Sequence, residues 1–395
     1  MKRIHFDKQK DFVPHVFVTI PCLLLGGTEV QTLNLARVLV AGGYMVTVCC
    51  YYEYDNQMVA AFQKSGAEVV LMGLERSQGL FELIRKLKTL FQKVKPNIVH
   101  VQYMAPGFAP IAAARLSSIR IVFATVHQPG RTHGMKAKVM LRAAALLCTA
   151  FFCVSKAAEE SWFGNCAVFD ARQYNKTRRK HFTIYNAIDV STIAEGVRKV
   201  DKEAFKETLG IDRQYPIVGS VGRLRKEKGQ DVLIQAMAIV IQSIPEACLL
   251  LVGDGPDREK LQKLSYDLGL QNNVFWAGQI DSDDLHPYYA IMDVAVVPSR
   301  FEGFGLTAAE AMAAGLPVLA SDVDGLREVV KHEETGYLVT PENSTHLADR
   351  ILALLAAPDN AADMGQAGRK RVEQYFSIEH FSDAVLAVYR IYGNS

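Results

Sequence analysis

Short apolar runs alternate with segments of helical periodicity along the whole chain. Runs such as His15–Ile20 and Ile98–Gln102 have the length of strands, and between them apolar positions recur every three to four residues. Strands that are apolar at nearly every position are typical of parallel sheets covered by helices on both faces. The other predicted strands are Met45–Tyr51, Glu68–Met72, Ile121–Val126, Phe151–Val154, Thr183–Tyr185, Pro216–Val221, Ala247–Val252, Val274–Ala277, Val294–Pro298, Pro317–Ala320 and Gly336–Val339.

This alternation occurs twice, and a length of 395 residues is enough for two domains. We therefore expect an α/β fold with two Rossmann-like, doubly wound parallel-sheet domains that face each other across a cleft. The charged, strand-poor segment Ser191–Glu207 marks the boundary, which gives an N-terminal domain over 1–190 and a C-terminal domain over 191–375. The aromatic-rich helical segment Phe376–Tyr392, within residues 376–395, would pack back on the first domain; the alternative is that it caps the second.

Composition excludes several other classes of protein. With 49% hydrophobic residues the chain can bury a core and is not disordered. Its seven cysteines show no C-x-x-C spacing, so we expect them to be reduced and buried. The longest uncharged apolar run, Ala143–Val154, is shorter than the roughly 20 residues that cross a bilayer, and residues 1–8 lack the apolar core of a signal peptide. These features predict a cytoplasmic protein.

Charge is distributed unevenly. Residues 1–190 contain 24 basic and 12 acidic side chains, whereas residues 191–395 contain 20 and 30, although the formal net charge is only +2. A basic half suits an anionic partner such as a phospholipid surface or a lipid diphosphate, and peripheral association with the inner face of the plasma membrane would follow. No basic stripe with interleaved aromatics or helix-turn-helix pattern predicts nucleic-acid binding. The alternative is solvated charge without a partner.

Two segments of the first half are candidate ligand sites. Gly26 and Gly27 follow the first strand and precede a helix, where glycines and free N–H groups could receive a diphosphate; a plain tight turn is the alternative. His127 stands at the end of a strand and is followed by Pro129 and Gly130. This placement suits a residue at a cleft, and a buried core histidine is an equally good alternative. A basic run near Trp162 and Phe163 is a candidate for lipid head groups: Arg172, Lys176, Arg178, Arg179 and Lys180.

The first strand of the second half leads into a loop with two cations. Gly222 begins this loop, and Arg223 and Lys228 lie five positions apart at the carboxyl end of the strand. Open α/β sheets bind ligands at that end, and two fixed cations can hold the oxygens of one diphosphate. Solvated loop charge is the alternative. Gly253, in Gly-Asp-Gly-Pro, is a further candidate to line the donor site in the cleft, although this segment is interpreted first as a turn.

The stretch from Ser299 to Glu310 is the most informative. A glycine-containing loop with Glu302, Gly303 and Gly305 follows an apolar strand, and a helix begins at Leu306. Main-chain N–H groups of this loop and helix start would face a phosphate. Glu310 lies among small residues on the helix, about 10 Å from Glu302 by helix rise, which suits contacts with two sugar rings better than a carboxylate dyad.

Together these motifs resemble the retaining glycosyltransferases of the GT-B fold, family 4 in particular. The resemblance covers most of the chain, including Gly-Gly-Thr-Glu, Thr-Val-His, Val-Ser-Lys, Tyr-Asn-Ala-Ile-Asp, Gly-Arg-Leu-Arg-Lys-Glu-Lys-Gly, Leu-Leu-Leu-Val-Gly-Asp-Gly-Pro and Glu-x7-Glu. Asn186-Ala187 stands where Asn-Gly is commoner. The resemblance implies transfer of a hexose from a UDP or GDP sugar to a glycan or lipid-linked acceptor in surface polysaccharide or lipopolysaccharide synthesis.

The resemblance also implies a role for each candidate residue. Arg223 and Lys228 would neutralise the diphosphate, Glu310 would bind the ribose hydroxyls and Glu302 the donor sugar. Gly26 and Gly27 would close over the phosphates and His127 would contact the donor sugar. Main-chain groups around Gly278 and Ile280 would hold the base. The phosphate cradle would be completed by N–H groups of Phe304, Gly305, Leu306 and Thr307.

Fixed cations and N–H dipoles can stabilise the leaving group, so the resemblance implies no metal and no other cofactor. The family retains the anomeric configuration, and the resemblance implies no protein nucleophile. The leaving phosphate would accept the proton of the acceptor. Two alternatives share the fold: a nucleotide-sugar 2-epimerase and a non-catalytic partner subunit of a glycosyltransferase.

Overall fold

The computed structural model describes residues 13–103, 107–174 and 179–393, and the chain forms two compact units. Unit 1 consists of Met1–Cys153, Glu159–Ile184 and Ser382–Ser395. Unit 2 consists of Val154–Ala158 and Tyr185–Phe381. The chain therefore passes between the units more than once, at the short segment Val154–Ala158 and again in the last helix.

Unit 1 contains a parallel seven-stranded sheet in the order β3-β2-β1-β4-β5-β6-β7. The order reverses between β1 and β4, as it does in doubly wound folds. Right-handed crossovers therefore place α1 and α2 on one face of the sheet and α3, α4 and α5 on the other. The strands are β1 (His15–Ile20), β2 (Met45–Cys50), β3 (Glu68–Leu71), β4 (Ile98–Tyr103), β5 (Ile121–Val126), β6 (Ala150–Cys153) and β7 (His181–Thr183), and the helices are α1 (Gly27–Ala41), α2 (Asn56–Lys64), α3 (Gly79–Val94), α4 (Phe108–Leu116), α5 (Met135–Leu147), α6 (Lys156–Phe163) and α7 (Ala171–Tyr174).

Unit 2 contains a parallel six-stranded sheet in the order β10-β9-β8-β11-β12-β13, with the reversal between β8 and β11. Its strands are β8 (Ile217–Val221), β9 (Cys248–Val252), β10 (Val274–Gly278), β11 (Val294–Val297), β12 (Val318–Ser321) and β13 (Gly336–Val339). Its helices are α8 (Val190–Arg198), α9 (Lys202–Thr208), α10 (Gln230–Ser243), α11 (Arg258–Asp267), α12 (His286–Ile291), α13 (Leu306–Ala313), α14 (Leu326–Val329), α15 (Ser344–Ala356) and α16 (Pro358–Tyr375), followed by α17 (Ile378–Gly393).

The core of unit 2 lies on both faces of this sheet. One cluster includes Leu250, Ala308 and Met312, and the other includes Leu249, Leu233 and Leu319. Successive strand residues thus contribute to opposite clusters, which is why the strands are apolar at nearly every position. The predicted pair of doubly wound parallel sheets is confirmed.

The structure differs from the expected elements in two places. The strand predicted at Thr183–Tyr185 lies at His181–Thr183, so Tyr185 follows it. The charged, strand-poor segment that was expected to mark the boundary forms the helices α8 and α9. Asp189 and Asp201 cap them: their side chains accept from the N–H groups of Thr192 at 2.9 Å and Ala204 at 3.1 Å.

The last helix, α17, contributes to the core of unit 1 from Ser382 onward. Tyr389 is fully buried there, and its hydroxyl lies 2.6 Å from Nδ1 of His100 on β4. Its ring packs edge-on against Phe123 on β5 at a centroid distance of 5.1 Å. A buried tyrosine needs such a partner for its hydroxyl, so the pair fixes the register of the helix against the sheet.

The cysteines are all free thiols, and only Cys166 is more than marginally accessible to solvent. Trp162 is 2% exposed and donates its indole N–H to the Gln128 carbonyl at 2.7 Å, while the ring of Phe163 stacks on His181. The head-group contact expected for the basic run near these two aromatics stays a prediction; Lys176 and Arg178 of that run lie outside the described residues. Within the described ranges, every helix is too short or too polar to span a bilayer.

Candidate functional site

The reversal of strand order in unit 2 brings two predicted loops together. Strands β8 and β11 are neighbours, with Val218 opposite Val294, and both run in the same direction. The loop after β8 carries Arg223 and Lys228, and the loop after β11 carries Glu302. Because the carboxyl ends of parallel strands lie at one edge of the sheet, residues about 75 apart in the chain become neighbours.

Lys228 and Glu302 form an ion pair across this point, between Nζ and Oε1. The hydroxyl of Ser299 donates to the same carboxylate oxygen at 3.1 Å. Both side chains are partly buried, so the pair is less screened than a surface one. Arg223 is exposed, and within the described ranges no side chain pairs with its guanidinium. The site thus presents one cation held by a carboxylate and one without such a partner.

Arg300 supports this arrangement from the side. Its guanidinium forms a bidentate pair with Asp231 at the start of α10, with both N···O distances 2.9 Å, and binds Glu342 at 2.8 Å. It also donates to the carbonyl of Lys226, while its backbone N–H donates to the Glu227 carbonyl at 2.8 Å. A single arginine therefore ties the turn that carries Lys228 to the loop that carries Glu302.

Two glycines allow the loops to approach closely. Gly229 has a φ of +69°, and a Cβ there would overlap the Pro298 carbonyl oxygen at the end of β11. Gly253 has a φ of +134°, and its Cβ would overlap the carbonyl oxygen of Gly222. Both conformations favour glycine, so the close packing of these loops depends on the absence of side chains.

The helix α13 begins in the middle of this site. Gly305, with a φ of +107°, is its N-cap and offers no side chain to the first helical N–H groups. The N–H groups of Leu306 and Thr307 therefore have no partner within the helix and form the positive end of its dipole. The preceding loop is held from two sides: Ser155 donates its hydroxyl to the Gly303 carbonyl at 2.6 Å, and the Gly325 N–H donates to the Glu302 carbonyl at 3.3 Å.

Glu310 lies on the second turn of α13. The buried Tyr289 hydroxyl donates to its Oε2 at 2.9 Å, and among the described residues none donates to Oε1. Burial raises the pKa of Glu310, while the hydrogen bond from Tyr289 and the charge of Lys228 act in the opposite direction. The carboxylate is thereby oriented by one oxygen, with the other available as an acceptor.

Gly278 and Ile280 lie at the end of β10, in the same sheet. The carbonyl of Gly278, whose φ is +76°, accepts from the Gly253 N–H at 2.7 Å, which links the loops after β9 and β10. Arg258 lies beside them, paired with Asp254 at 2.6 Å. The region predicted to hold a base is thus connected to the loop region through Gly253.

In unit 1, Gly26 and Gly27 mark the start of α1. Gly26 is the N-cap with an extended backbone, φ −170°, so neither glycine needs a left-handed conformation. A Cβ on Gly26 would meet the carboxylate of Glu29 at 2.7 Å. Glu29 is buried in the first turn, within 3.5 Å of the Cys22 thiol. The first turn of this helix therefore already contains a carboxylate, which favours the N-terminus electrostatically.

His127 follows β5 in unit 1. Its Nε2 lies 2.8 Å from the Oε1 of Gln102 on β4. Because an amide oxygen only accepts, Nε2 carries the proton and Nδ1 is left as an acceptor. Among the described residues Nδ1 is buried without a partner, and so is Nε2 of Gln102. Burial lowers the pKa of His127 to about 4, so the ring is neutral at pH 7.

The structure thus brings the predicted residues of unit 2 together at one edge of its sheet, and it places Gly26, Gly27 and His127 in unit 1. Sequence reasoning missed several residues that position the site. Ser155 stood within a quoted motif, Val-Ser-Lys, and Arg300 directly followed the noted Ser299, so both had a signal. Tyr289 and Gln102 had none, because their contacts come from elements distant in sequence.

Two family models match the chain. The model described as Glycosyltransferase Family 4 matches residues 25–192, and the model described as Glycosyl transferases group 1 matches residues 201–371. Together they account for most of both units.

Curated relatives share about a third of their residues with matched parts of the chain. An uncharacterized glycosyltransferase of Methanocaldococcus jannaschii is 33% identical over 60% of this chain and 59% of its own length. A GDP-mannose-dependent α-(1-6)-phosphatidylinositol monomannoside mannosyltransferase of Mycobacterium tuberculosis is 37% identical over 40% of this chain and 43% of its own. The chain thus spans about half the length of these relatives.

A solved structure has the same fold. Anabaena HepE in complex with UDP-glucose superposes with a TM-score of 0.79 and 20% identity, covering 95% of this chain and 99% of that one.

Proposed function

The chain belongs to glycosyltransferase family 4, and from that premise we propose that it moves a hexose from a UDP or GDP sugar to a glycan or lipid-linked acceptor. The observation that carries the proposal is the cluster at the β8–β11 edge, where Lys228, Glu302 and the start of α13 meet. A sugar nucleotide is a diphosphate ester of a sugar, and it requires an anion site next to a polar sugar site.

The diphosphate would lie between the two loops. Arg223 has no carboxylate to neutralise it among the described residues, and Lys228 is held in place by Glu302. Free N–H groups at the start of α13 add a dipole that favours negative charge. As the bond from the anomeric carbon to the phosphate oxygen breaks, negative charge grows on the leaving diphosphate, and these fixed groups stabilise it without reorganising.

Glu302, Glu310 and His127 would bind hydroxyl groups. Tyr289 donates to Oε2 of Glu310 and so orients the carboxylate. The other oxygen, Oε1, is left to accept a hydrogen bond from a ribose hydroxyl. Glu302 suits the donor sugar. Neutral His127 offers Nδ1 as an acceptor to a sugar hydroxyl, and Gln102 holds the ring so that Nδ1 is the nitrogen without a proton.

We expect the anomeric configuration to be retained. The acceptor oxygen would bond to the anomeric carbon on the face from which the diphosphate leaves, and the acceptor proton would pass to the leaving phosphate oxygen. No protein nucleophile and no divalent metal enters this scheme, because Arg223, Lys228 and the helix N-terminus supply the positive charge.

The similar proteins support a nucleotide-sugar donor in general. HepE was solved with UDP-glucose, and the mycobacterial relative uses GDP-mannose with a phosphatidylinositol mannoside. Main-chain groups near Gly278 and Ile280 would bind the base. The proposed acceptor belongs to surface polysaccharide or lipopolysaccharide synthesis, at the inner face of an anionic membrane.

Transfer itself is the test. Radiolabelled UDP-glucose and GDP-mannose are incubated with the protein and a lipid-extract acceptor, after thermal shift has shown which nucleotide binds. We expect label in the acceptor and loss of most transfer in Glu310→Ala, with the unfolding temperature nearly unchanged. Glu379→Ala, on an exposed part of α17, is the control.

Two results would contradict the proposal. Conversion of the free donor to its 2-epimer without label in the acceptor would indicate an epimerase. Nucleotide binding without any turnover, restored only by addition of a second protein, would indicate a partner subunit.

A further inference from the structure

Helix α5 of unit 1 exposes an unusual number of apolar side chains. Met135, Val139 and Leu146 are 73%, 60% and 74% exposed. Their spacing of four and then seven residues places them in one line along the helix, since 3.6 residues make a turn. Monomeric proteins rarely expose several large apolar side chains together on one helix face, so this face indicates a surface that another phase or molecule covers.

The opposite face of α5 is the one that packs on the protein. Leu141, Ala144 and Ala145 are buried against the rest of unit 1. The helix thus has two apolar faces, of which the fold uses one. Met140 and Leu147 widen the outer face, at 44% and 38% exposed.

Lysines border the exposed line. On the helix, Lys136 lies to one side of Met135 and Val139, and Lys138 lies to the other. Among the described residues neither ammonium group has a carboxylate partner. Arg142 lies within the line, and its Nε donates to the Trp162 carbonyl at 2.8 Å, which keeps the guanidinium near the helix.

The chain that forms α5 and the two helices before it is rich in basic residues. Residues 83–153 contain eleven Lys and Arg and not one Asp or Glu. These residues form most of α3 and all of α4 and α5, which lie on the same face of the sheet and contact each other in that order. Glu82 at the start of α3 pairs with Arg85 and Lys86, and Glu160 is exposed on the neighbouring α6. The remaining excess of basic residues attracts anions and repels a basic partner.

From these observations we infer that α5 docks on an anionic phospholipid surface. The exposed apolar line would enter the boundary between head groups and acyl chains, and the two lysines would remain at head-group level. A bilayer fits better than a protein partner because the exposed apolar side chains have basic residues both beside them and, at Arg142, among them. That combination matches acyl chains that lie beneath negatively charged head groups. The inference extends the proposed function, since it gives the membrane side of a lipid-linked acceptor.

Vesicle flotation tests the inference without any sugar donor. The full chain is mixed with vesicles of phosphatidylcholine alone or with about 30% phosphatidylglycerol, at salt concentrations of about 0.1 and 1 M. We expect flotation with the anionic vesicles only, and weaker flotation in high salt.

Two variants separate the charges from the apolar line. K136Q/K138Q should weaken partitioning on the order of 30-fold, since each lysine near the surface contributes about 1 kcal/mol. M135S/V139S/L146S should abolish the binding that remains in high salt; Leu146→Ser alone is used if the triple variant unfolds. The matched control is R37Q/K64Q, which removes two charges from α1 and α2 on the other face and should float like the wild type.

Other outcomes overturn the inference. Equal partitioning of K136Q/K138Q and R37Q/K64Q would show a non-specific charge effect. No flotation, together with a dimer in sedimentation that M135S/V139S/L146S dissociates, would show that a second copy covers α5. Lys228→Ala should still float, so a failure of the donor site and a failure of membrane docking give different results.

Discussion

The two units share a strand order but place different chemistry at the same position. In unit 2, the loops at the reversal of strand order carry the ion pair of Lys228 with Glu302. Beside it, Arg300 forms further ion pairs with acidic side chains. In unit 1, the corresponding edge carries a glycine turn at Gly26 and a neutral, half-buried histidine, His127. The fold therefore determines where a ligand can bind, whereas the loops determine whether that place suits phosphate or hydroxyl groups.

The largest effect should come from removing the cation of unit 2. Lys228→Ala should lower kcat/KM for transfer roughly 10³-fold, about 4 kcal/mol, because the leaving diphosphate loses a fixed charge and Glu302 is left unpaired. Steady-state release of UDP or GDP measures this. The control is Lys226→Ala, which changes an exposed lysine in the same turn and should retain activity. Equal losses in both variants would show that Lys228 has no specific role in unit 2.

Loss of the ion pairs of Arg300 should have the next largest effect. Arg300→Met should lower kcat/KM about 30-fold and the free energy of unfolding by about 2 kcal/mol, because Asp231 loses a bidentate partner and the Lys226 carbonyl loses a donor. Urea titration and steady-state kinetics measure the two quantities. Arg369→Met, which breaks an exposed pair with Glu373, should change neither beyond about 0.5 kcal/mol.

The histidine of unit 1 predicts a pH dependence. Since the pKa of His127 is about 4 in the folded chain and about 6.5 when unfolded, the unfolded state binds more protons between these values. The free energy of unfolding should therefore fall as the pH drops from about 6.5 to 4. His127 should contribute about 2 kcal/mol to this fall, because partial exposure to solvent weakens the full effect of its pKa shift. His127→Gln should lose that part of the decline.

Urea titrations at several pH values measure this decline, with the exposed His380→Gln as the control. Since the pKa of buried His100 is also lowered, to about 3, part of the decline should persist in His127→Gln. An unchanged slope in His127→Gln would show that this ring is protonated in the folded chain, and the two units would then differ less than described.

The smallest effect should come from Ser155. Ser155→Ala removes the donor to the Gly303 carbonyl and should raise the KM for donor about fivefold, with a smaller change in kcat, because the loop before α13 is less well fixed. Ser155→Thr should restore part of the loss. If the KM for donor is unchanged while stability falls by about 1 kcal/mol, the hydroxyl supports the fold alone.

Several features of the molecule could be predicted from sequence because they are local. Apolar strands such as Ile98–Gln102 and Val294–Pro298 identified both sheets, since burial on two faces leaves a continuous apolar run. The glycine loop before Leu306 indicated the start of α13, because glycine and a following helix are encoded by adjacent residues. The helices α8 and α9 were not predicted because the segment was noted only as charged and strand-poor, although Asp189 and Asp201 are ordinary N-caps.

By itself, then, the sequence determined which segments are strands, where the chain must turn, and which charged residues are candidates to bind a diphosphate. Only the tertiary structure decided that Lys228 faces Glu302, that Tyr289 holds Glu310, that Trp162 is internal and that α5 leaves its apolar line uncovered. The physical reason is that strand order, not distance in the sequence, determines which loops meet. In addition, the sheet and the neighbouring helices cover only one face of each helix, and the other face contacts whatever surrounds the protein.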